Sequence, residues 1–264
     1  MAGHPSAQDE PPQWLETGDG EARRKLACLV QPGEGPPVIW LGGFRSDMRA
    51  TKAEARADWA LSQGRGFVRF DYAGHGESGS DFPRWTLSDW RDDALAIIAA
   101  HCRQPPVLVG SSMGGWIALL AARQLLGTAL APAGMVLIAP AVDFSEELMW
   151  AQMPASIRET IMRDGVWMRP SAYSPEPTPI TRALIEDGRK NLMFGAEIRT
   201  GCPVHILQGM ADPDVPWRQA LKLVEHLTGD PVVLTLVRDG DHRLSGPADL
   251  ARLQDAVGRI TDAA

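Results

Sequence analysis

The residues best suited to covalent chemistry lie in Val107-Leu-Val-Gly-Ser-Ser-Met-Gly-Gly-Trp116. A β-rich run enters Gly110-Ser111-Ser112-Met113-Gly114 and a helical pattern leaves it. This is G-x-S-x-G in a strand–turn–helix setting, a bend that lifts a serine hydroxyl clear of the backbone. The bend is tight, so the residues two before and two after the serine must be small. Gly110 and Gly114 meet that demand for Ser112, whereas Val109 fails it for Ser111, and Ser112 is the candidate nucleophile. The helix that follows favours negative charge at its N-terminus. A phosphate cradle would instead carry the lysine of GxxxxGK[ST], which is missing.

A serine hydroxyl needs a base, and the base needs an acid to orient it. With this bend the chain order is serine, acid, histidine, each partner following a late strand. The run Val204–Leu207 leads into Gln208-Gly-Met-Ala-Asp212-Pro-Asp214-Val-Pro-Trp217, and Val232–Leu236 leads into Arg238-Asp-Gly-Asp-His242. Of the six histidines, only His242 follows the last strand in a polar loop. His4 is near the N-terminus, His101 ends a helix and His226 lies on one. His205 is inside an apolar strand, and His75 sits in a Gly-His-Gly loop with a structural role near the site. Asp212 is the expected acid; Asp214 comes too late in the turn, and Asp143 is the other topological option.

Acyl transfer also requires donors for the tetrahedral oxyanion. One is the backbone N–H after the nucleophile, here Met113; the second comes from the loop after an early strand. Trp40-Leu-Gly-Gly-Phe44-Arg45 is that loop, and its paired glycines let the backbone turn closely, which makes the Phe44 N–H the second expected donor.

These loops need a scaffold. Leu26–Val30, Pro37–Leu41, Phe67–Phe70, Val107–Val109, Met135–Ile138, Val204–Leu207 and Val232–Leu236 read as strands. Several are continuously apolar, as strands buried on both faces of a parallel sheet are. Helical patterns alternate with them. One has Ser88 as its expected cap and Trp90, Ala94, Ile97 and Ile98 as its apolar face; others use Trp217, Leu221, Val224 and Leu227, or Leu250, Leu253, Val257 and Ile260. The alternation implies a doubly wound α/β sheet with ligands at the carboxyl ends of its strands. About 65 residues separate Ile138 from Val204, far more than a βα connection needs. This stretch, rich in Met and Trp, is expected to be a helical cap at about 144–200. The rest forms one domain over 21–264, preceded by a mobile arm over 1–20.

Composition narrows the function. The 264 residues carry 26 Lys+Arg against 33 Asp+Glu, and the net charge of −7 argues against a nucleic-acid partner. Hydrophobic residues make up 44 % and charged residues 22 %, which is the balance of a globular chain. No apolar run approaches the ~18–20 residues that span a bilayer. Cys28, Cys102 and Cys202 are odd in number and form no CxxC pair, so neither a disulfide framework nor a cysteine zinc site is expected. The start, MAGHPSAQDEPPQ, lacks the features of a signal or transit peptide, and the expected location is cytoplasmic.

Together these segments resemble the α/β-hydrolase superfamily, from about Leu26 to the C-terminal helix. Phe70-Asp-Tyr-Ala-Gly-His-Gly-Glu-Ser78, Gly165-Val-Trp-Met-Arg-Pro-Ser-Ala-Tyr173, Gly209-Met-Ala-Asp-Pro-Asp-Val-Pro-Trp217 and Asp241-His-Arg243 are similar to the branch of mitochondrial acyl-protein thioesterases and acyl-glucuronide esterases with its bacterial relatives. The resemblance implies an α/β-hydrolase fold with a helical cap, Ser112, Asp212 and His242 as a triad, and Phe44 and Met113 as oxyanion donors. It departs at Arg45, where an apolar residue is expected, and at Ala50, where glycine is expected.

The expected activity is therefore that of a serine hydrolase of carboxylic esters or thioesters, acting on a small-molecule or acylated substrate without metal or organic cofactor. Its rate should rise as imidazole becomes the free base, near pH ~6–7. Hydrolysis of lactones or C–C bonds would use the same three residues, and a non-catalytic ligand-binding protein can share the fold. Arg45 is either a partner for a substrate carboxylate or a solvated arginine.

Overall fold

The computed structural model describes residues 10–170 and 175–263. The N-terminal half alternates short extended runs with amphipathic helices: β1 (Gln13–Thr17), β2 (Arg24–Gln31), β3 (Glu34–Leu41), α1 (Thr51–Ser62), β4 (Arg65–Phe70), α2 (Leu87–His101), β5 (Val107–Ser111), α3 (Met113–Leu125) and β6 (Gly134–Ile138). The C-terminal half continues with α4 (Ala155–Asp164), β7 (Val166–Arg169), β8 (Thr178–Thr181), α5 (Arg182–Lys190), β9 (Val204–Gly209), α6 (Trp217–His226), β10 (Val232–Val237) and α7 (Pro247–Ala263). All seven expected strands are present.

Eight strands form one sheet in the order β1-β2-β4-β3-β5-β6-β9-β10. β1 and β4 run antiparallel to β2, and from β4 to β10 every neighbour is parallel. The central β5 and β6 are buried at every position, which is why they read as unbroken apolar runs. One face carries α2, α3 and α6, with Trp90, Trp116 and Leu223 in its core; the other carries α1 and α7, with Ala53, Ala57, Leu253 and Val257. The carboxyl ends of β3, β5, β9 and β10 thus open on one edge, where the loops carrying Phe44, Ser112, Asp212 and His242 begin.

Three expectations are corrected. The arm placed at 1–20 is not free throughout, because Gln13–Thr17 forms β1, with Leu15 opposite Leu26. An edge strand draws its stability from its partner's backbone, and this one keeps Trp14 54 % exposed, so it leaves little apolar signal. Positions 1–9 of the arm lie outside the described residues. Ser88 does not cap α2. Thr86 does, its backbone N–H donating to Asp89 at 2.9 Å in a capping box, while the Ser88 hydroxyl donates to Asp187 of α5 at 2.9 Å. On α6 the buried residues are Ala220 and Leu223, while Leu221 is exposed.

The insertion between β6 and β9 contains α4 and α5, as expected, but also a hairpin of β7 and β8, with Trp167 opposite Ile180. Met153, Ile161, Ile180 and Ile185 give it a small core of its own. Of the resemblance segment Gly165–Tyr173, positions 171–173 lie outside the described residues. Asp143 anchors the insertion at both ends, since its carboxylate accepts the N–H groups of Met193 and Phe194 at 2.9 and 3.0 Å.

Candidate active site

Ser112 sits between β5 and α3 with φ 55° and ψ −117°, a conformation that L-residues adopt only under constraint. The end of β6, the loop after it and the first turn of α3 supply the constraint. The Ser112 N–H donates to Ile138 O at 2.8 Å, and its carbonyl accepts from Gly115 at 2.9 Å and Ala141 at 3.1 Å. The flanking glycines are sterically required. A Cβ on Gly110 would lie 2.4 Å from Gly114 O, and one on Gly114 would lie 2.0 Å from Leu41 O. Both obstacles are backbone and cannot swing away. Gly114→Ala is expected to destabilise the fold by about 1–3 kcal/mol or more, as overpacking does. Gly195→Ala, with nothing within 4 Å of the added atom, should unfold near the wild-type midpoint in urea.

The acid and base arrive from β9 and β10. Their loops are joined by Met210 N–H to Val237 O at 2.8 Å and Ala211 N–H to Gly240 O at 3.0 Å. A Cβ on Gly209 would lie 2.3 Å from Gly240 O, so the two loops pack backbone to backbone. In this arrangement His242 Nδ1 lies 2.8 Å from Asp212 Oδ2, and His242 Nε2 lies 3.2 Å from Ser112 Oγ. Asp212 accepts only, so Nδ1 carries the proton and Nε2 is free to accept from the serine. Burial by itself would raise the Asp212 pKa. The His242 hydrogen bond and the N–H groups of Val215 and Asp214 outweigh it and hold the carboxyl below its ordinary value.

The structure brings Ser112, Asp212 and His242 together; Asp214 lies beside them on the cleft wall, while Asp143, His101, His205 and His226 have other partners. Asp143 is committed to Met193 and Phe194. His205 pairs with Thr235 at 2.9 Å, His226 bonds Lys222 O and Phe194 O, and His101 lies 3.7 Å from the Cys28 sulfur. The loop after β3 reaches the nucleophile, since a Cβ on Gly43 would lie 3.5 Å from Ser112 Cβ. Phe44 follows it, Met113 is the first residue of α3, and both line the same cleft as Ser112. The Arg45 side chain is exposed, and its guanidinium lies 5.0 Å from the centre of the Phe82 ring.

Two residues escaped sequence reasoning. Gln208 donates from Nε2 to Asp212 Oδ2 at 3.2 Å and Val215 O at 3.0 Å, bracing the acid; its signal is an amide inside an apolar strand. Lys52 donates to Ser111 Oγ at 2.8 Å, and burial lowers its pKa to about 8 against the pull of Asp241 and Asp212. Asp212, Asp214 and His242 are the one trio of potential metal ligands among the described residues, with ligand atoms within 4.8 Å of one another. The Nδ1 proton between two of them makes it a proton-holding arrangement.

A cleft of about 930 Å³ opens over Ser112. Phe44, Phe144, Leu148 and Met149 give it an apolar wall, while Arg45, Lys52 and Asp214 mark its polar side. Such a volume suits a small organic substrate. The sequence profile of the alpha/beta hydrolase family matches residues 28–253. The chain belongs to this family. This hydrolase is 32 % identical over 238 residues to the human mitochondrial palmitoyl-protein thioesterase ABHD10, covering 90 % of this chain and 76 % of that one. Among solved structures, a putative hydrolase from Agrobacterium vitis S4 superimposes with a TM-score of 0.91 at 50 % identity, over 95 % of this chain and 98 % of that chain. Mouse alpha/beta hydrolase domain-containing protein 10 does so with a TM-score of 0.84 at 30 % identity, over 95 % and 98 % of the two chains. Among the described residues of the hydrolase, no helix is long and apolar enough to cross a membrane.

Proposed function

We propose that this hydrolase cleaves carboxylic esters and thioesters through an acyl-enzyme on Ser112. The observation that carries the reading is the continuous chain of hydrogen-bonding groups Asp212–His242–Ser112, with spacings of 2.8 and 3.2 Å. His242 Nε2 takes the Ser112 proton as Oγ attacks the acyl carbon. The carbonyl oxygen gains the negative charge, and the N–H groups of Phe44 and Met113 receive it. When the C–O or C–S bond breaks, the leaving alkoxide or thiolate takes the proton from His242. Water then yields a proton to His242 and attacks the acyl carbon; as the acyl–Oγ bond breaks and the acid leaves, His242 returns that proton to Ser112 Oγ. Asp212 fixes the imidazole tautomer throughout and stabilises its cation.

The apolar wall of Phe44, Phe144, Leu148 and Met149 favours an apolar acyl group. Similarity to thioesterases that act on palmitoylated proteins supports thioesters among the substrates. We place the activity in the cytoplasm, a location compatible with three buried, free cysteines.

The test is labelling with a fluorophosphonate, followed by kcat/KM over matched acyl esters and acyl thioesters of increasing chain length. Stoichiometric label on Ser112 and rising kcat/KM with apolar chain length are expected. A chain that takes no label and turns over neither class would overturn the reading.

A further inference from the structure

The segment Phe70-Asp-Tyr-Ala-Gly-His-Gly-Glu-Ser78 has no part in the chemistry above, yet it touches the loop that presents Phe44. His75 Nε2 accepts the backbone N–H of Arg45 at 3.2 Å, and its Nδ1 lies 3.3 Å from Ala73 O. The two partners fix the tautomer: a carbonyl only accepts, so Nδ1 carries the proton, and an amide N–H only donates, so Nε2 is bare. We propose that His75 is a positioning residue for the oxyanion hole, a neutral acceptor that locks the Phe44–Arg45 peptide and so holds the Phe44 N–H where the transition-state oxygen forms. The inference rests on the acyl-enzyme reading and adds to it a part for a residue outside the triad.

The backbone around Phe44 explains why a lock is needed. Gly43–Ser46 is a turn closed by the Ser46 N–H on Gly43 O at 3.1 Å. Arg45, at its third position, has φ 61°, which glycine adopts freely and arginine does not. Relaxing Arg45 to negative φ would flip the Phe44–Arg45 peptide and tilt the adjoining Gly43–Phe44 peptide, whose N–H is the donor. The Arg45 N–H is the group such a flip would swing away, and His75 holds it.

The lock is itself rigid. The His75 ring is 3 % exposed and lies edge-on to Phe82 and Trp90, with centroids 5.1 and 5.2 Å away. Phe44 packs on the same two rings at 5.3 and 5.9 Å. Ala73, which orients the histidine, is anchored by its N–H on Asp93 at 2.9 Å and by its carbonyl on Trp90 Nε1 at 3.0 Å. Asp71 binds the far end of the same loop, accepting Met48 N–H at 2.6 Å. Burial lowers the His75 pKa to about 4, which favours the neutral ring that its two hydrogen-bond partners require.

Three variants separate positioning from packing. His75→Gln can place an amide oxygen where Nε2 lies and keep the acceptor. His75→Asn reaches only the Nδ1 position and leaves the Arg45 N–H unpaired. His75→Phe keeps the ring and loses both bonds. The readouts are kcat and KM on a short-chain ester, and the Ki of an alkyl trifluoromethyl ketone, whose adduct places an oxyanion in the hole. Concentrations are set by the endpoint of fluorophosphonate titration. Misplacing a donor by a fraction of an ångström costs up to about 10²-fold. The Asn and Phe variants should lose about 10–10²-fold in kcat with KM nearly unchanged, the Ki should rise in parallel, and Gln should stay within a fewfold of wild type. Wild-type kcat in Asn, or a loss in Gln equal to that in Asn, overturns the proposal; if Phe does not fold, this pair decides alone. Failure of the wild-type protein to label would instead remove the acyl-enzyme reading itself.

Discussion

Ser112→Ala is expected to abolish turnover of p-nitrophenyl butyrate almost completely, with kcat lower by about 10⁴–10⁶-fold. The fold should persist, because among the described residues the hydroxyl bonds His242 Nε2 alone, while the backbone bonds to Ile138, Gly115 and Ala141 hold the bend. The residual rate measures the oxyanion donors and substrate binding alone. The variant also decides between neighbouring hydroxyls. Ser111 Oγ accepts from the Lys52 ammonium at 2.8 Å, and serine–lysine pairs are nucleophiles elsewhere. If Ser112→Ala retained near wild-type kcat and fluorophosphonate label appeared on Ser111, that pair would be the centre and the triad assignment would fall. A charged lysine only donates, however, whereas His242 Nε2 offers the lone pair a serine proton needs.

Asp212→Asn should lower kcat by about 10⁴-fold at neutral pH. The surroundings dictate how the amide must lie. Asp212 Oδ1 accepts the N–H groups of Asp214 and Val215 at 2.8 and 2.9 Å, so an asparagine keeps its oxygen there. Its NH₂ then faces His242 Nδ1 and also confronts the Gln208 amide, which donates to Oδ2 in the native protein at 3.2 Å. Donating to Nδ1 forces the imidazole proton onto Nε2, opposite Ser112, where a base is needed. Steady-state kinetics check this directly, and a kcat within tenfold of wild type would show that the carboxylate does not set the tautomer.

Much of this site was legible in one dimension because its constraints are local or ordinal. Gly110 and Gly114 announce the bend, since each lies where a Cβ would strike backbone. Asp212 and His242 follow β9 and β10, and sheet topology brings the carboxyl ends of adjacent parallel strands to one edge. Apolar runs revealed the buried strands for the same reason: a strand covered on both faces has nowhere to place polar side chains. β1 and the β7–β8 hairpin were missed because they are short and partly exposed, and pairing partners rather than their own composition sustain them.

The sequence by itself determined the fold class and singled out Ser112, Asp212, His242 and the loop that bears Phe44 as candidates. Only the tertiary structure decided the geometry that makes them a unit: Gln208 behind the acid, Lys52 beside the preceding serine, and His75 on the Arg45 amide. Each of the last two joins residues some thirty to sixty positions apart through a single hydrogen bond. Such a bond follows from packing that brings two loops within about 3 Å, and neither residue type nor local periodicity encodes that approach.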